Sequence, residues 1–289
     1  MRKPGSVSTG SVALLVASAS LLAGCATMGE TPSQKVDGAS VSYSLAGTGA
    51  PAVVFEAGLG DSKSSWSTVF SEVGKNTTAF AYDRPGYSPR PGLNSRYRSD
   101  RDGRTGKEVA THLRELLDQA GVEPPFVLVG HSIGGLYVLS FAKLYPEDVA
   151  GIVLVDGRPP DFTAACKAES ASMCELPRLM VAVMPPHQRA EVKGMPETER
   201  DAPDPEELAG VPITVIAATE PDIVSSRAFQ DLLMARQKAF AQGANGRYVE
   251  ATGSTHYVHQ KQPELVVGEI QKMLDGIRST RTGNAAAEL

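Results

Sequence analysis

The sequence predicts one α/β domain on a mostly parallel central sheet, with helices on both faces and an inserted cap. Three observations lead there. Short apolar runs alternate with amphipathic helical stretches between residues 52 and 274, the rhythm of crossover connections between parallel strands. The apolar runs are continuous, as suits strands covered on both faces. Between Gly157 and Gly210 the rhythm lapses into a proline-rich stretch holding two of the three cysteines, and then it resumes.

Taken in order, Val41–Leu45 alternates and reads as an outer strand, and Ala52–Phe55 is the first buried one. Ser64–Val73 is a helix with Trp66, Val69 and Phe70 on one side. Thr77–Tyr82 is the next strand, and residues 84–103, rich in Arg, Pro, Gly and Ser, form a long loop. Thr105 is an N-cap and Glu108 completes a capping box; Val109, Leu113, Leu116 and Leu117 give that helix its apolar face, and Gly121 ends it. Strand Phe126–Val129, a small-residue helix Ile133–Leu144 and strand Ala150–Val155 follow. After the insertion come strand Ile213–Ala217, helix Ala228–Ala241, strand Arg247–Glu250 and helix Glu264–Leu274. The insertion leaves a strand's carboxyl end, where open α/β sheets place ligands. Inside it, Leu176, Leu179, Met180, Val183 and Met184 recur at helical spacing. That face is expected to pack on the core, with Met180 and Met184 as candidate linings of an apolar acyl pocket.

The 289 residues, 42% of them hydrophobic, suffice for a core without staples. A net charge of -5 argues against nucleic acid or anionic lipid held by charge alone. No C-x-x-C pair suggests zinc or thioredoxin-like redox chemistry, and no metal-ligand spacing appears.

The chemistry centres on Gly130-His131-Ser132-Ile133-Gly134-Gly135, a G-x-S-x-G between an apolar strand and a helix. That context is a nucleophile elbow: a tight turn lifts the serine hydroxyl above the sheet, and the following helix offers free N–H groups to an oxyanion. A serine needs a base, and the base an orienting acid. Of five histidines, His131 adjoins the serine and is expected to point away, His112 lies in a helix and His187 in the cap. His256 and His259, past the last strand, come in the right chain order.

Together FEAGLG (55–60), YDRPGYS (82–88), VLVGHSIGG (127–135), GIVLVD (151–156) and GSTHYVHQKQPEL (253–265) resemble the α/β-hydrolase superfamily of serine esterases and lipases, over Ala52 to Leu274. The resemblance implies an α/β-hydrolase fold and places the base at His256, with His259 packing beside it. Thr255 stands where a glycine is common. The usual place of the acid gives Asp222; Asp156, ending its strand, and Glu220 are the alternatives. Ala57-Gly58 replaces the frequent His-Gly, and the oxyanion donors are the backbone amides of Leu59 and Ile133. Glu56 either bonds the loop internally or has a catalytic role, and Arg158 and Arg104 are candidate contacts for an anionic group. The implied reaction is hydrolysis of a small-molecule carboxylic ester, an acyl transfer that requires neither metal nor organic cofactor. A peptidase, thioesterase or acyltransferase on the same triad, or a non-catalytic binding lipoprotein, are the alternatives.

The N-terminus reads as an address. Arg2 and Lys3 precede a 12-residue apolar run, Val12–Ala23, far short of the roughly 20 residues of a membrane span. Leu22-Ala23-Gly24-Cys25 resembles a bacterial lipobox. It implies a signal peptide over 1–24 and lipidation of Cys25; the composition that follows reads as a flexible tether over 25–38, with the hydrolase domain over 39–276 and a disordered tail over 277–289. Such a protein is anchored in the cell envelope; with Ala26 after the cysteine, a Gram-negative one is sorted to the outer membrane, facing the periplasm. In that oxidising setting Cys166 and Cys174 are a candidate local disulfide, with two free thiols as the alternative.

Overall fold

In the computed structural model, residues 28, 32–36, 38–87, 103–169, 174–223 and 225–287 are described; the expected signal peptide over 1–24, Cys25 and most of the 84–103 stretch lie outside them. Eight strands form one sheet in the order β1-β2-β4-β3-β5-β6-β7-β8. They are β1 (Ser33–Val36), β2 (Ala39–Ala46), β3 (Ala52–Glu56), β4 (Ala79–Tyr82), β5 (Phe126–His131), β6 (Val149–Val155), β7 (Ile213–Ala218) and β8 (Arg247–Ala251). β1–β2 and β2–β4 pair antiparallel; from β4 to β8 every pairing is parallel. The chain is therefore an α/β-hydrolase fold.

The period of two in the strands sorts the core. Val54, Phe80, Leu128, Ile152 and Val215 face α2 (Gly106–Gln119), α3 (Ile133–Leu144) and α7 (Arg227–Gly243). Val53, Phe55, Val127, Val129 and Val153 face α1 (Ser67–Val73) and α9 (Pro263–Ala287). With both faces covered, every residue of β3, β4, β5 and β7 is buried, so those strands need no polar alternation. The capping box at Thr105 and Glu108 is present.

Between β6 and β7 the cap carries α4 (Phe162–Ala168), α5 (Arg178–Val183) and α6 (Pro186–Asp201). α8 (Val258–Lys261) follows the last strand. Cys166 and Cys174 are joined in a disulfide, pinning the end of α4 to the segment before α5. Closing so short a loop is worth about 2–3 kcal/mol in chain entropy. The Cys166→Ala/Cys174→Ala double variant is accordingly expected to lose about that much in urea unfolding, relative to the oxidised protein.

Three expectations are corrected. The amphipathic run in the cap forms only the short α5, with no buried residue: Leu179 and Val183 are 80% and 77% exposed. The helical spacing is real, but among the described residues nothing covers Leu179 and Val183, and neither Met180 nor Met184 lines the central cavity. The 25–38 tether contains β1, because Val36 finds a buried seat and Pro32 accepts a bond from the Tyr43 N–H. Residues 277–287 continue α9 rather than forming a disordered tail. No proline stops the helix there, and Arg278 anchors it by donating to the carbonyls of Ala50 and Asn76. Among the described residues no helix is long and apolar enough to cross a membrane.

Candidate active site

Ser132 sits between β5 and α3 at φ 56°, ψ −125°, a region open to L-residues only under strain of about 1–3 kcal/mol. Packing holds it there. A Cβ on Gly130 would lie 2.6 Å from the Gly134 carbonyl, and one on Gly134 would lie 2.6 Å from the carbonyls of both Glu56 and Ala57. The two motif glycines thus let α3 press against its own strand and against the end of β3. Ile133 opens α3, so its N–H has no intrahelical acceptor. Leu59 packs beside Ile133, and both line a cavity of about 390 Å³ together with Ser132 and His256. Leu176, Val192, Met195, Phe229 and Leu233 make its apolar wall, and the disulfide's Cys174 also borders it.

The carboxylate hydrogen-bonded to His256 is that of Asp156, not of Asp222. His256 Nδ1 and Asp156 Oδ2 are 2.6 Å apart, and Asp156 is buried. Asp156 takes an unusual positive φ of 43° at the end of β6. Its other oxygen accepts from the Ala218 N–H and from Gln237 Nε2, both at 3.1 Å, which leaves Oδ2 turned to the imidazole. Asp222 lines the same cavity, but its loop closes on itself, with its N–H donating to Ser225 Oγ. Glu220 is paired with Arg227 on the surface. Burial alone would lower the His256 pKa, but the bond to Asp156 and the charges of Asp156, Asp222 and Asp61 carry it above the ordinary value of 6.5.

His131 supports this histidine from behind rather than pointing away. Its Nε2–H donates to the His256 carbonyl at 3.1 Å, with the two rings 4.5 Å apart. Burial, and then the nearby His256, hold His131 below the usual histidine range, so it stays neutral beside His256. His259 is buried and stacked on Trp66 at 4.3 Å, and neither ring nitrogen has a hydrogen-bond partner among the described residues. Burial, then His131 and His256, push it down to about 2. It therefore remains uncharged in the folded protein while the unfolded chain binds a proton below pH 6.5. That stability is complete above the unfolded value and is lost as pH falls towards the folded one. His259→Phe, keeping the stack, is expected to flatten the fall in urea-unfolding free energy between pH 6 and 4 by about 1.4 kcal/mol per pH unit.

The two arginines considered for anion binding are engaged internally. Arg158 is tied to Glu199 and Thr163, and Arg104 is buried against Glu191 and the Pro85 carbonyl. Glu56 is tied to the loop through Arg84: it accepts from Tyr82 and, at 2.6 Å, from Arg84 Nη1, and Arg84 in turn donates to the Ala57 and Gly58 carbonyls. Beside Arg84, Asp83 receives the Lys63 N–H and Nζ, both at 2.8 Å, so the YDRPG stretch braces the whole loop after β3.

The Alpha/beta hydrolase family profile matches residues 53–269, three quarters of the chain, Ser132, Asp156 and His256 among them. The chain belongs to the alpha/beta hydrolase family. Among its relatives, the Bacillus subtilis protein YqjL is 25% identical over 228 residues, 76% of this chain and 82% of YqjL. A putative carbamate hydrolase, RutD of Serratia proteamaculans, is 31% identical over 110 residues, 38% of this alpha/beta hydrolase and 39% of RutD. Two solved structures share the fold. A thermophilic esterase from Thermogutta terrifontis has a TM-score of 0.61 at 19% identity, covering 86% of this chain and 99% of the esterase. An enol-lactonase from Burkholderia xenovorans LB400 has a TM-score of 0.62 at 19% identity, covering 84% and 100%.

Proposed function

We propose that this alpha/beta hydrolase cleaves carboxylic esters through a covalent acyl-enzyme, with Ser132 as nucleophile, His256 as base and Asp156 as the orienting acid. One observation carries the reading: a serine on a strained turn shares an apolar cavity with an imidazole whose Nδ1 is bound to a buried carboxylate. Ser132 Oγ attacks the ester carbonyl while His256 Nε2 takes its proton, and Asp156 stabilises the imidazolium. The amides of Leu59 and Ile133 receive the oxyanion. His256 then protonates the departing alcohol, and water, deprotonated by the same nitrogen, releases the acid. The mainly apolar wall suits a small to medium acyl group. The esterase and the lactonase of like fold are compatible with acyl transfer. The partial likeness to RutD makes a carbamate worth including beside thioesters and amides.

The chain is further proposed to be held at the cell envelope by acylation of Cys25, on the strength of the lipobox-like run that precedes it. Labelling with a fluorophosphonate, together with turnover of p-nitrophenyl esters, tests the catalytic reading. Wild type is expected to be labelled and active, and Ser132→Ala neither. A wild type that ignores both the probe and esters of every chain length would sink the reading. Loss of metabolic fatty-acid incorporation in Cys25→Ala tests the anchor.

A further inference from the structure

The buried charge cluster beneath the loop after β3 has no place in the proton transfers above, although its charges are almost wholly removed from solvent. Arg84, 3% exposed, lies between Glu56 of the core and Glu191 of cap helix α6. All five of its N–H donors are used. Nε reaches Glu191 Oε1 at 2.8 Å, and Nη2 reaches Glu191 Oε2 at 3.1 Å. Nη1 meets Glu56 Oε1 and the Ala57 carbonyl, both at 2.6 Å, while Nη2 meets the Gly58 carbonyl at 2.7 Å. Arg104 adds a second cation on Glu191 at 2.8 Å, so two carboxylates face two guanidiniums. Burial alone would raise Glu191, but Arg84 and Arg104 hold it below the usual carboxylate range. Tyr87 closes the ring: its hydroxyl donates to Glu191 at 2.7 Å and accepts from the Gly60 N–H at 3.1 Å.

An ion cluster serving stability alone has no need of main-chain carbonyls, and here those carbonyls belong to the loop that offers an amide to the oxyanion. A trans peptide is planar, its C=O and the next N–H pointing opposite ways. Fixing the Gly58 carbonyl on Arg84 therefore turns the Leu59 N–H away from the arginine, and Leu59 lines the cavity. The Ala57 carbonyl fixes the preceding plane in the same manner, and the Gly60 N–H on Tyr87 fixes the following one.

We infer that Arg84 is the positioning residue of the oxyanion site, aiming the Leu59 amide through the Ala57 and Gly58 carbonyls, and that Glu191 makes the cap a party to that aim. The inference rests on the serine-hydrolase reading. Preorganised donors contribute because they need no reorientation as charge develops; a loop free to rotate its 58–59 plane loses that. Lysine keeps the charge that Glu56 and Glu191 require, but it has three donors and no planar fork, and so cannot serve five acceptors.

The test is hydrolysis of p-nitrophenyl butyrate by Arg84→Lys beside wild type and Ser132→Ala, with inhibition by phenylboronic acid, whose serine adduct places an oxygen in the oxyanion site. In Arg84→Lys, kcat is expected to fall about 10- to 100-fold with KM within about threefold, and boronate affinity to fall by the same factor as kcat. Glu191→Gln should move both in the same direction by a smaller factor. Tyr87→Phe, which removes one hydroxyl, is expected to lower kcat about three- to tenfold and supplies the answer where Arg84→Lys does not fold. Unchanged kcat and boronate affinity in well-folded Arg84→Lys or, failing that, Tyr87→Phe overturns the positioning role. So does a loss in rate matched by loss of folded protein, with boronate affinity per folded molecule intact. An unaltered Glu191→Gln removes the cap from it. If wild type and Ser132→Ala are equally inert, the serine-hydrolase reading itself falls, whereas an active wild type and a dead Ser132→Ala leave that reading standing whatever Arg84→Lys does.

Discussion

Asp156→Asn is expected to lower kcat by about 10⁴-fold, whereas Asp222→Asn should stay within about tenfold of wild type, because a charge acting through solvent-facing space is weakly felt. The asymmetry follows from contact. Asp156 accepts the hydrogen bond from Nδ1–H, which leaves the lone pair on Nε2, the nitrogen that takes the Ser132 proton in the proposed mechanism, and its charge would offset the imidazolium formed there. An asparagine of the same shape can present its amide N–H to Nδ1 instead, which leaves the ring in the wrong tautomer. Asp222 contributes only its field to His256. The pH profile supplies a second signature. The base must be neutral to accept a proton, and His256 sits above 6.5 because of Asp156. The acid limb of kcat/KM in wild type is therefore expected above pH 6.5. Without the carboxylate, burial, already the largest single influence, loses its main opponent and favours the neutral ring, so the limb should move to lower pH in Asp156→Asn. A limb that stays put in Asp156→Asn, or a larger kcat loss in Asp222→Asn, would reverse the assignment of the acid.

That Asp156 rather than Asp222 bonds His256 has a physical reason that the sequence does not display. Asp156 and Asp222 follow neighbouring parallel strands, β6 and β7, so both arrive at the same edge of the sheet and both border the cavity. What separates them is a turn of positive φ at Asp156 and two donors, Ala218 and Gln237, lying 62 and 81 residues further along the chain. Local pattern carries no trace of such pairings. The elbow was legible because its constraints are local: apolar strand, serine, small residues, helix. The sheet was legible too, since burial on both faces turns strands into continuous apolar runs. The role of Glu56 was not, because it depends on Arg84, and Arg84 in turn on Glu191, which is 107 residues further on in the cap. Nor was the fate of α5. Helical spacing reports a face that could be covered, and only the tertiary structure says whether anything covers it.

The same methyl group is expected to have opposite effects at two glycines of this chain, and the contrast tests how the elbow and the loop after β3 are coupled. In Gly268, on α9, a Cβ meets nothing within 4 Å. Gly268→Ala should stabilise the protein by up to about 1 kcal/mol through backbone entropy and helix propensity. In Gly134 the Cβ falls 2.6 Å from two main-chain carbonyls, those of Glu56 and Ala57. Backbone cannot swing aside as a side chain does, so α3 and the end of β3 must separate; about 3 kcal/mol of destabilisation is expected in urea unfolding. The functional cost should exceed what unfolding explains. Ile133 rides on α3 and Leu59 on the loop leaving β3, so the two amides proposed to bind the oxyanion are carried by the two backbones being forced apart. Loss of one such donor lowers kcat by about 10²–10³-fold, and Gly134→Ala is expected to reach that range in the folded fraction, with KM little altered. Phenylboronic acid should weaken in parallel, since its adduct needs the same two donors. A Gly134→Ala protein that is destabilised yet keeps its kcat per folded molecule would mean that the amides do not depend on this contact, and that the glycine serves packing alone.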